Sequence, residues 1–428
     1  MDIFGKVYDV VVAGGGPAGF SSALAAARGG AKVLLIERYG YLGGMASTGL
    51  PFLKYGDGSR QRIFGIAGEF ASRAMSAGFA EGDLAKGWLP VDPEGVKFLF
   101  QEMLLESGVD LLLHSVVHGV LVEGGSIRSL SVLCKGGSRR VQGKVFVDCT
   151  GDADIAAYSG VPFKIGREDG KTMGMSLLFT LGNVDVDKFR SALSDGWARL
   201  VKSRGIEIPR EVKEATFLDE ENFMPFVTFA NRPGEVTFNW VQQVLDKNPL
   251  DPKDLSEAEI EARRRIHLLF NEVIKPHVPG CSSAFIARTA CQMGVRESRR
   301  IVGLYTLTED DCRAQRDFPD TVALCTYGFD LHASSRRDAD RVIIDTGFRG
   351  LIKIPYRVMV PSRGPENLLV AGRCVSADRM ALSAIRVMVP CMSMGEAAGR
   401  AAYLASSDGV PVSQVPVDRL RDMLDLRY

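Results

Sequence analysis

Apolar positions in the first forty residues form two short blocks with a small-residue segment between them. VYDVVVA (7–13) is β-rich and almost continuously apolar, the pattern of a parallel strand buried on both faces. FSSALAAARGG (20–30) is built from small residues and ends at paired glycines, which predicts a helix and its stop. AKVLLIE (31–37) predicts a second buried strand, closed by a lone acid. Residues 92–107 have helical spacing, with Asp92 or Pro93 as the start. Residues 109–149 read as a β-meander whose two apolar runs are separated by Gly124-Gly125, a hairpin signal. KVFVDCTGDAD (144–154) returns to strand and runs into a Gly-Asp turn. NLLVAGR (367–373) is a further strand ending in glycine, and MVPCMSMGEAAGRAAYLA predicts a helix from Met388.

The middle of the chain has another rhythm. MGMSLLFTL (173–181) and EVTFNWVQ (235–242) predict strands of a second sheet. DLSEAEIEARRRIHLLFNEVIKP begins at Asp254 and carries Ser256 with Glu259 three residues on, a capping box opening a helix that stops at Pro276. GVRESRRIVG reads as helical, with Arg296 and Arg300 on one face and Glu297 offset.

The turn between the first strand and helix is GGGPAG, which contains GxGxxG as Gly14, Gly16 and Gly19, with Pro17 and Ala18 between the last two. In a dinucleotide site Gly14 permits the tight turn, Gly16 admits a pyrophosphate to the backbone, and Gly19 lets the helix approach the sheet. The helix N-terminus offers unpaired N–H groups to phosphate. Glu37 stands 23 positions after Gly14, where an acid accepts hydrogen bonds from ribose hydroxyls. A carboxylate there also opposes a 2′-phosphate. Strand, turn, helix, strand and acid occur in order, so the motif predicts a bound dinucleotide rather than a bare glycine turn.

Composition narrows the classes. At 428 residues the chain is long for one core, so two or three structural domains are expected. Lys plus Arg equals Asp plus Glu at 52 each, which argues against nucleic acid as a partner. No apolar run reaches the ~18 residues of a membrane span, and the N-terminus lacks signal-peptide features. Eight cysteines occur without a CxxC pair, against a disulfide scaffold, a metal centre or an iron–sulfur cluster, and in keeping with a reducing cytoplasm.

Several segments together resemble the FAD-dependent oxidoreductases with a glutathione-reductase-like FAD domain, related to the fumarate reductase flavoproteins. They are ERYGYLGG (37–44), CTGDADIAAYSG (149–160), GVRESRRIVGLYTLTEDD (294–311), YGFDLH (327–332) and the long stretch 354–402. The resemblance implies an α/β fold: a Rossmann-like FAD-binding domain (parallel sheet plus β-meander) with an inserted α+β substrate domain. Its segments would be 1–165 and 345–428 for the FAD domain and 166–344 for the substrate domain. Gly14, Gly16, Gly19 and Glu37 would hold the ADP half of FAD. Arg38, Gly43 and Gly44, with Met45 next in the loop, would line the pyrophosphate and ribityl region. Gly151 and Asp152 would lie near the polyol or phosphates, and Gly372 and Arg373 would carry the chain across the flavin. The helix entered through Met388, Val389 and Cys391 would aim its N-terminus at flavin N1 and the C2 carbonyl, stabilising the reduced, anionic form.

The implied activity is hydride transfer between a small organic substrate and flavin N5, with an electron-acceptor partner left open. A flavin monooxygenase and a non-catalytic flavin-binding electron-transfer subunit are the alternatives. No second complete GxGxxG unit occurs, so a dedicated NAD(P)H domain is not expected. His332 is the first acid–base candidate, because imidazole titrates near neutrality. Asp330 orients it only where the backbone folds back. Arg386 and Arg357 are the arginine candidates, since they flank the strand and helix expected to cover the flavin. Arg296, Arg299 and Arg300 read either as an internal ion-pair network or as a clamp for a substrate carboxylate. Cys374 and Cys391 read as small buried residues rather than a redox pair.

Overall fold

A computed structural model of the chain describes residues 3–427 apart from 195, 197–198, 201, 203–204, 211–212, 214–225, 230–231, 240–243, 336–342, 346–347 and 349. Strand β1 (Val7–Ala13), helix α1 (Pro17–Gly29) and strand β2 (Val33–Ile36) follow the three N-terminal blocks. Val10, Val11, Val12, Leu34 and Leu35 are fully buried. A strand without a solvent face has no reason to alternate, which is why its apolar run is continuous. Helix α2 (Pro93–Glu106) starts on Asp92, whose carboxylate accepts from Glu94 N at 3.0 Å. Pro93 takes the first helical position, where a missing N–H costs nothing.

Strands β3 (Asp110–Leu112), β4 (Val116–Glu123), β5 (Ser126–Cys134) and β6 (Gly137–Asp148) extend this sheet in the order β3-β2-β1-β6-β5-β4. Of the stretch expected as meander, β3 instead pairs parallel with β2. β6 serves two purposes along its length. Its first half runs antiparallel to β5, and Val145–Asp148 run parallel to Val10–Ala13. The meander and the parallel sheet are therefore one continuous surface.

The middle region carries a four-stranded antiparallel sheet. Its strands are β7 (Phe179–Gly182), β8 (Phe226–Thr228), β9 (Val236–Asn239) and β10 (Phe285–Thr289), in the order β8-β9-β7-β10. Helix α3 (Pro252–Leu269) contributes Ala258, Ile266 and Leu269 to a hydrophobic cluster with Phe179 and Phe238 of this sheet. Two expectations shorten here. Met175 and Ser176 make only single bridges, to Val244 and Gly294, and residues 240–243 lie outside the described residues.

The capping box does not form. α3 begins earlier, on Asp251, which accepts from Lys253 N at 2.8 Å and Asp254 N at 3.0 Å. Ser256 lies inside the helix with its hydroxyl on Pro252 O, and Glu259 instead accepts from Met293 N. Nor does Pro276 stop the helix. A π-turn at Phe270–Ile274 widens the ladder, and Lys275–His277 continues past the missing N–H.

GVRESRRIVG is not helical. Arg299–Ile301 form strand β11, antiparallel to Phe163–Ile165, and Ile301 N donates to Cys374 O at 3.0 Å. Pairing with distant backbone overrides the local spacing. β12 (Phe329–Leu331) follows, and β13 (Leu368–Val370) joins the first sheet parallel to Phe146–Asp148 of β6. Helices α4 (Arg379–Ile385) and α5 (Met388–Asp408) end the region of interest.

α5 lies directly on α1. A Cβ at Gly395 would stand 2.1 Å from Ala18 O, and one at Gly399 would stand 2.1 Å from Ser22 O. The helices thus touch backbone to backbone, which only glycine permits. Gly399→Ala should destabilise the fold by about 1–3 kcal/mol through overpacking. Gly119→Ala, whose added carbon meets nothing closer than Ser131 at 3.5 Å, should stay within about 0.5 kcal/mol of the parent. Urea midpoints of the two variants check this, and equal midpoints would refute the contact.

Candidate functional site

The three glycines of the first turn separate by cause. Gly14 has φ +96°, and an added Cβ would lie 2.3 Å from Cys149 O. At Gly19 an added Cβ would lie 1.7 Å from Gly14 O. The fold itself demands both. Gly16 is different: its φ of −73° suits any residue, and a Cβ would meet nothing nearer than Gly44 Cα at 4.0 Å. It is also the N-cap of α1 and supplies no side-chain cap, so first-turn N–H groups face the open space beside it, and Pro17 and Ala18 continue that turn. The backbone at Gly16 is thus open to close approach by a ligand.

Glu37 is buried at the end of β2, with Oε2 accepting from Gly15 N at 2.6 Å and Oε1 from Tyr39 N at 2.9 Å. The acid holds the glycine turn. The loop after it folds back over the turn: Gly43 N donates to Gly15 O at 2.9 Å, and Gly44 packs on Gly16. Gly43 has φ +121° and Gly44 +49°, so this return needs glycine. Arg38 reaches Gln292 Oε1 at 2.6 Å, and the Met45 thioether meets Gln292 Nε2 at 3.7 Å. Gln292 had no signal in the sequence, because it belongs to no motif.

Two distant segments meet at the carboxyl ends of β6 and β13. Gly151 has φ +81° and Gly372 +93°. Between them Arg373 donates to Asp152 Oδ1 at 2.7 Å and to Ser298 Oγ at 2.6 Å. Burial would raise the Asp152 carboxyl, but the Arg373 charge overcomes it and holds it below its usual range. Asp148, fully buried at the end of β6, is pushed up to about 6 by burial while it accepts from Thr150 and Ala156. It shapes the Gly151 turn. The first turn of α5 contains the buried Met388, Val389 and Cys391 and has no side-chain cap on Val387.

Beside that helix lies a charged cluster. β12 ends at Leu331, the chain leaves the ladder, and His332 Nε2 comes to 3.0 Å from Asp330 Oδ1. Arg386, at the end of α4, donates through Nη2 to Asp330 Oδ2 at 2.9 Å and to Asp330 O at 2.8 Å. Asp330 N donates to Ser383 Oγ at 3.1 Å, tying β12 to α4. Burial and then the nearby Arg296 charge press the imidazole of His332 down to about 4, against the pull of Asp330. Burial alone would raise the Asp330 carboxyl, but its bond to His332 and the Arg386 charge hold it well below the carboxylate range. At neutral pH the pair is therefore a neutral imidazole donating from Nε2 to a carboxylate. Tyr327, buried nearby, has its phenol raised by burial and by Asp330.

Arg357 keeps other company. Its guanidinium grips Asp320 at 2.9 and 3.1 Å and lies over the Tyr305 ring. Arg299 pairs with Asp154 at 2.9 Å, and Arg300 with Glu297. Cys391 donates its thiol to Arg386 O at 3.3 Å and is pushed up to about 12 by burial; burial raises Cys374 further. Both are inert thiols at neutral pH.

The residues present fit FAD: an open cradle at Gly16, uncapped first turns on α1 and α5, and a buried Arg386 Nε without a hydrogen-bond partner among the described residues. Gly16→Val should fold with nearly parental stability yet purify without visible flavin absorbance, while Gly19→Ala should lose the fold. Flavin retained by Gly16→Val would remove the cradle assignment. His332 gives a second expectation. Between its unfolded value near 6.5 and about 4, the unfolded chain binds a proton that the folded chain refuses. Its stabilising contribution is whole above that window and is lost as pH falls through it. Urea midpoints from about pH 7.5 to about pH 5 should thus drop more steeply for the parent than for His332→Gln.

Solved structures resemble the chain only loosely. A geranylgeranyl bacteriochlorophyll reductase-like protein from Thermoplasma acidophilum has 11% identity and a TM-score of 0.48, covering 98% of this chain and 91% of its own. The p-nitrophenol 4-monooxygenase PnpA from Pseudomonas putida DLL-E4 has 13% identity and a TM-score of 0.49, covering 97% and 85%. A triple mutant of the flavin-dependent brominase Bmp2 has 15% identity and a TM-score of 0.48, covering 97% and 84%. Likenesses this loose carry no inference about chemistry. No curated protein sequence matches. A family model, FAD dependent oxidoreductase, matches residues 9–424. The chain belongs to the FAD-dependent oxidoreductase family, an enzyme family whose cofactor is FAD.

Proposed function

We propose that the protein is a dehydrogenase or reductase moving hydride between a small organic substrate and flavin N5, with His332 as the acid–base group. The observation that carries this reading is the His332–Asp330–Arg386 cluster at the end of α4, two residues before α5 begins. FAD, when bound, supplies the two-electron chemistry. The chain's own part is to hold the cofactor, orient the substrate and manage one proton. Gly14, Gly16 and Gly19 bind the diphosphate with Glu37 on the ribose, and the Arg373–Asp152 pair fixes the two turns beside it. Asp330 sets the imidazole tautomer by accepting a hydrogen bond from Nε2–H, and Arg386 fixes Asp330. Arg357 is given no step, because Asp320 already occupies its guanidinium.

Kinship with fumarate reductase flavoproteins and a glutathione-reductase-like FAD domain is part of the same proposal. So is the division into 1–165, 166–344 and 345–428, with the middle segment as an inserted substrate domain. Its separate hydrophobic cluster and antiparallel sheet support that division. All eight cysteines are free thiols, which supports a reducing, cytoplasmic setting. No helix among the described residues is long and apolar enough to cross a membrane.

Anaerobic mixing of flavin-loaded protein with a metabolite panel should find a substrate that bleaches the flavin. With that substrate His332→Gln should slow reduction about 10²–10⁴-fold while retaining the cofactor. Parental reduction rates in both His332→Gln and Arg386→Met would sink the assignment, and a hydroxylated product formed with oxygen would replace it by a monooxygenase.

A further inference from the structure

The arginines of GVRESRR do not share one role. Arg299 and Arg300 end in ion pairs with Asp154 and Glu297. Arg296 does not: its Nη1 donates to the Gly174 carbonyl at 2.6 Å, and no carboxylate touches it among the described residues. The same Gly174 donates its N–H to Ala333 O at 2.9 Å, so one residue couples Arg296 to the chain next to His332. Both sides of this join are pinned. Ser176 and Gly294 exchange backbone hydrogen bonds at 3.1 and 2.6 Å, and Met173 N donates to Glu297 at 3.1 Å. Among the described residues the carboxylate within the cluster is Asp330, already occupied by His332 and Arg386. The group is not sealed, since the side chains of Arg386, His332 and Asp330 keep 10, 12 and 16% exposure and Arg296 is only partly buried.

We propose that Arg296 anchors a carboxylate of the substrate beside His332. This rests on the reading of His332 as the acid–base group and adds the substrate class. A partly buried guanidinium whose partner among the described residues is a carbonyl and not an acid is incompletely compensated, and its planar fork matches a carboxylate with two parallel hydrogen bonds. An amide of the same shape brings no charge and leaves N–H facing N–H, so it is rejected. The anchor also acts on the imidazole. Among the described residues the charged groups that act on His332 are Asp330 from β12, Arg386 from the end of α4 and Arg296 from the segment before β11. Neutralising Arg296 removes one of the charges that opposes protonation of His332. Carboxylate binding then draws a proton from solvent onto the imidazole, preparing it as an acid.

The test titrates flavin-loaded protein by calorimetry with acetate, benzoate and succinate, and with acetamide, benzamide and succinamide. Each acid is run near pH 5.5 in two buffers of different ionisation heat, which counts protons taken up. The expected result is binding of at least one acid, about tenfold or more weaker binding of its amide, and net proton uptake. Arg296→Gln should weaken the acid about tenfold or more, and Arg296→Lys should recover part of the loss because it keeps the charge without the fork. Amides that match the acids, an unchanged affinity in both variants, or no binding of any acid overturns the proposal. Should Arg296→Gln fail to fold, the acid–amide comparison on the parent and Arg296→Lys decide. A neutral metabolite that bleaches the flavin equally well in parent and Arg296→Gln refutes the anchor alone and leaves the dehydrogenase reading standing. No bleaching by any metabolite strikes that reading instead.

Discussion

At Gly395 and Gly399 the backbone of α5 rests on carbonyl oxygens of Ala18 and Ser22, with no space for a methyl group between the helices. That contact fixes where both helices begin. α1 starts at Pro17 from the carboxyl end of β1, and α5 starts at Met388; neither has a side-chain cap. β1 and β13 flank the same stretch of β6, so the turns leaving these strands lie at one edge of the sheet. Open α/β sheets bind ligands at the carboxyl ends of their strands. Two uncapped helix starts held at a fixed distance give an extended ligand two anion-attracting ends.

Much of this was legible in the sequence because it depends on local chemistry. A strand buried on both faces must be continuously apolar, a left-handed turn with no room for a Cβ, as at Gly14, must be glycine, and Pro93 after Asp92 opens a helix on sight. The errors share one cause. Ser256 and Glu259 have capping-box spacing, but Asp251 caps first, and Glu259 is drawn to Met293 N on a loop thirty-four residues away. Arg296–Arg300 have helical spacing, but Phe163–Ile165 and Cys374 offer the backbone a ladder. In each case a partner distant in sequence outbids the local preference. Gln292 was invisible as a site residue for the same reason: Arg38, Tyr39 and Met45, its neighbours, come from another segment.

The site separates reactive groups from inert ones by surroundings rather than by type. Cys149, Cys374 and Cys391 lie in the regions that carry the glycine turns and the α5 N-terminus, yet burial keeps all three as thiols. A thiolate is the nucleophile, so their nearness to a redox cofactor gives them no chemistry at neutral pH. His332 is less enclosed than the thiols and has Asp330 at 3.0 Å to fix its tautomer. Orientation by a third group is what an acid–base imidazole needs.

Two clusters in this protein contain the same ingredients, and their difference assigns their roles. Glu297 is fully buried, and both Arg300 and Arg379 touch it, with Met173 N as a further donor. Arg379 also reaches Ser334 and Arg300 reaches Gly166 O. Such a carboxylate has no face left for a ligand, and removing one partner would strand a buried charge. The Asp330 cluster has one arginine on its acid and a second on a carbonyl, with every member still reached by solvent. A saturated, closed network specifies the position of β11 against α4. The open one leaves Arg296 on a carbonyl, with no carboxylate touching it among the described residues.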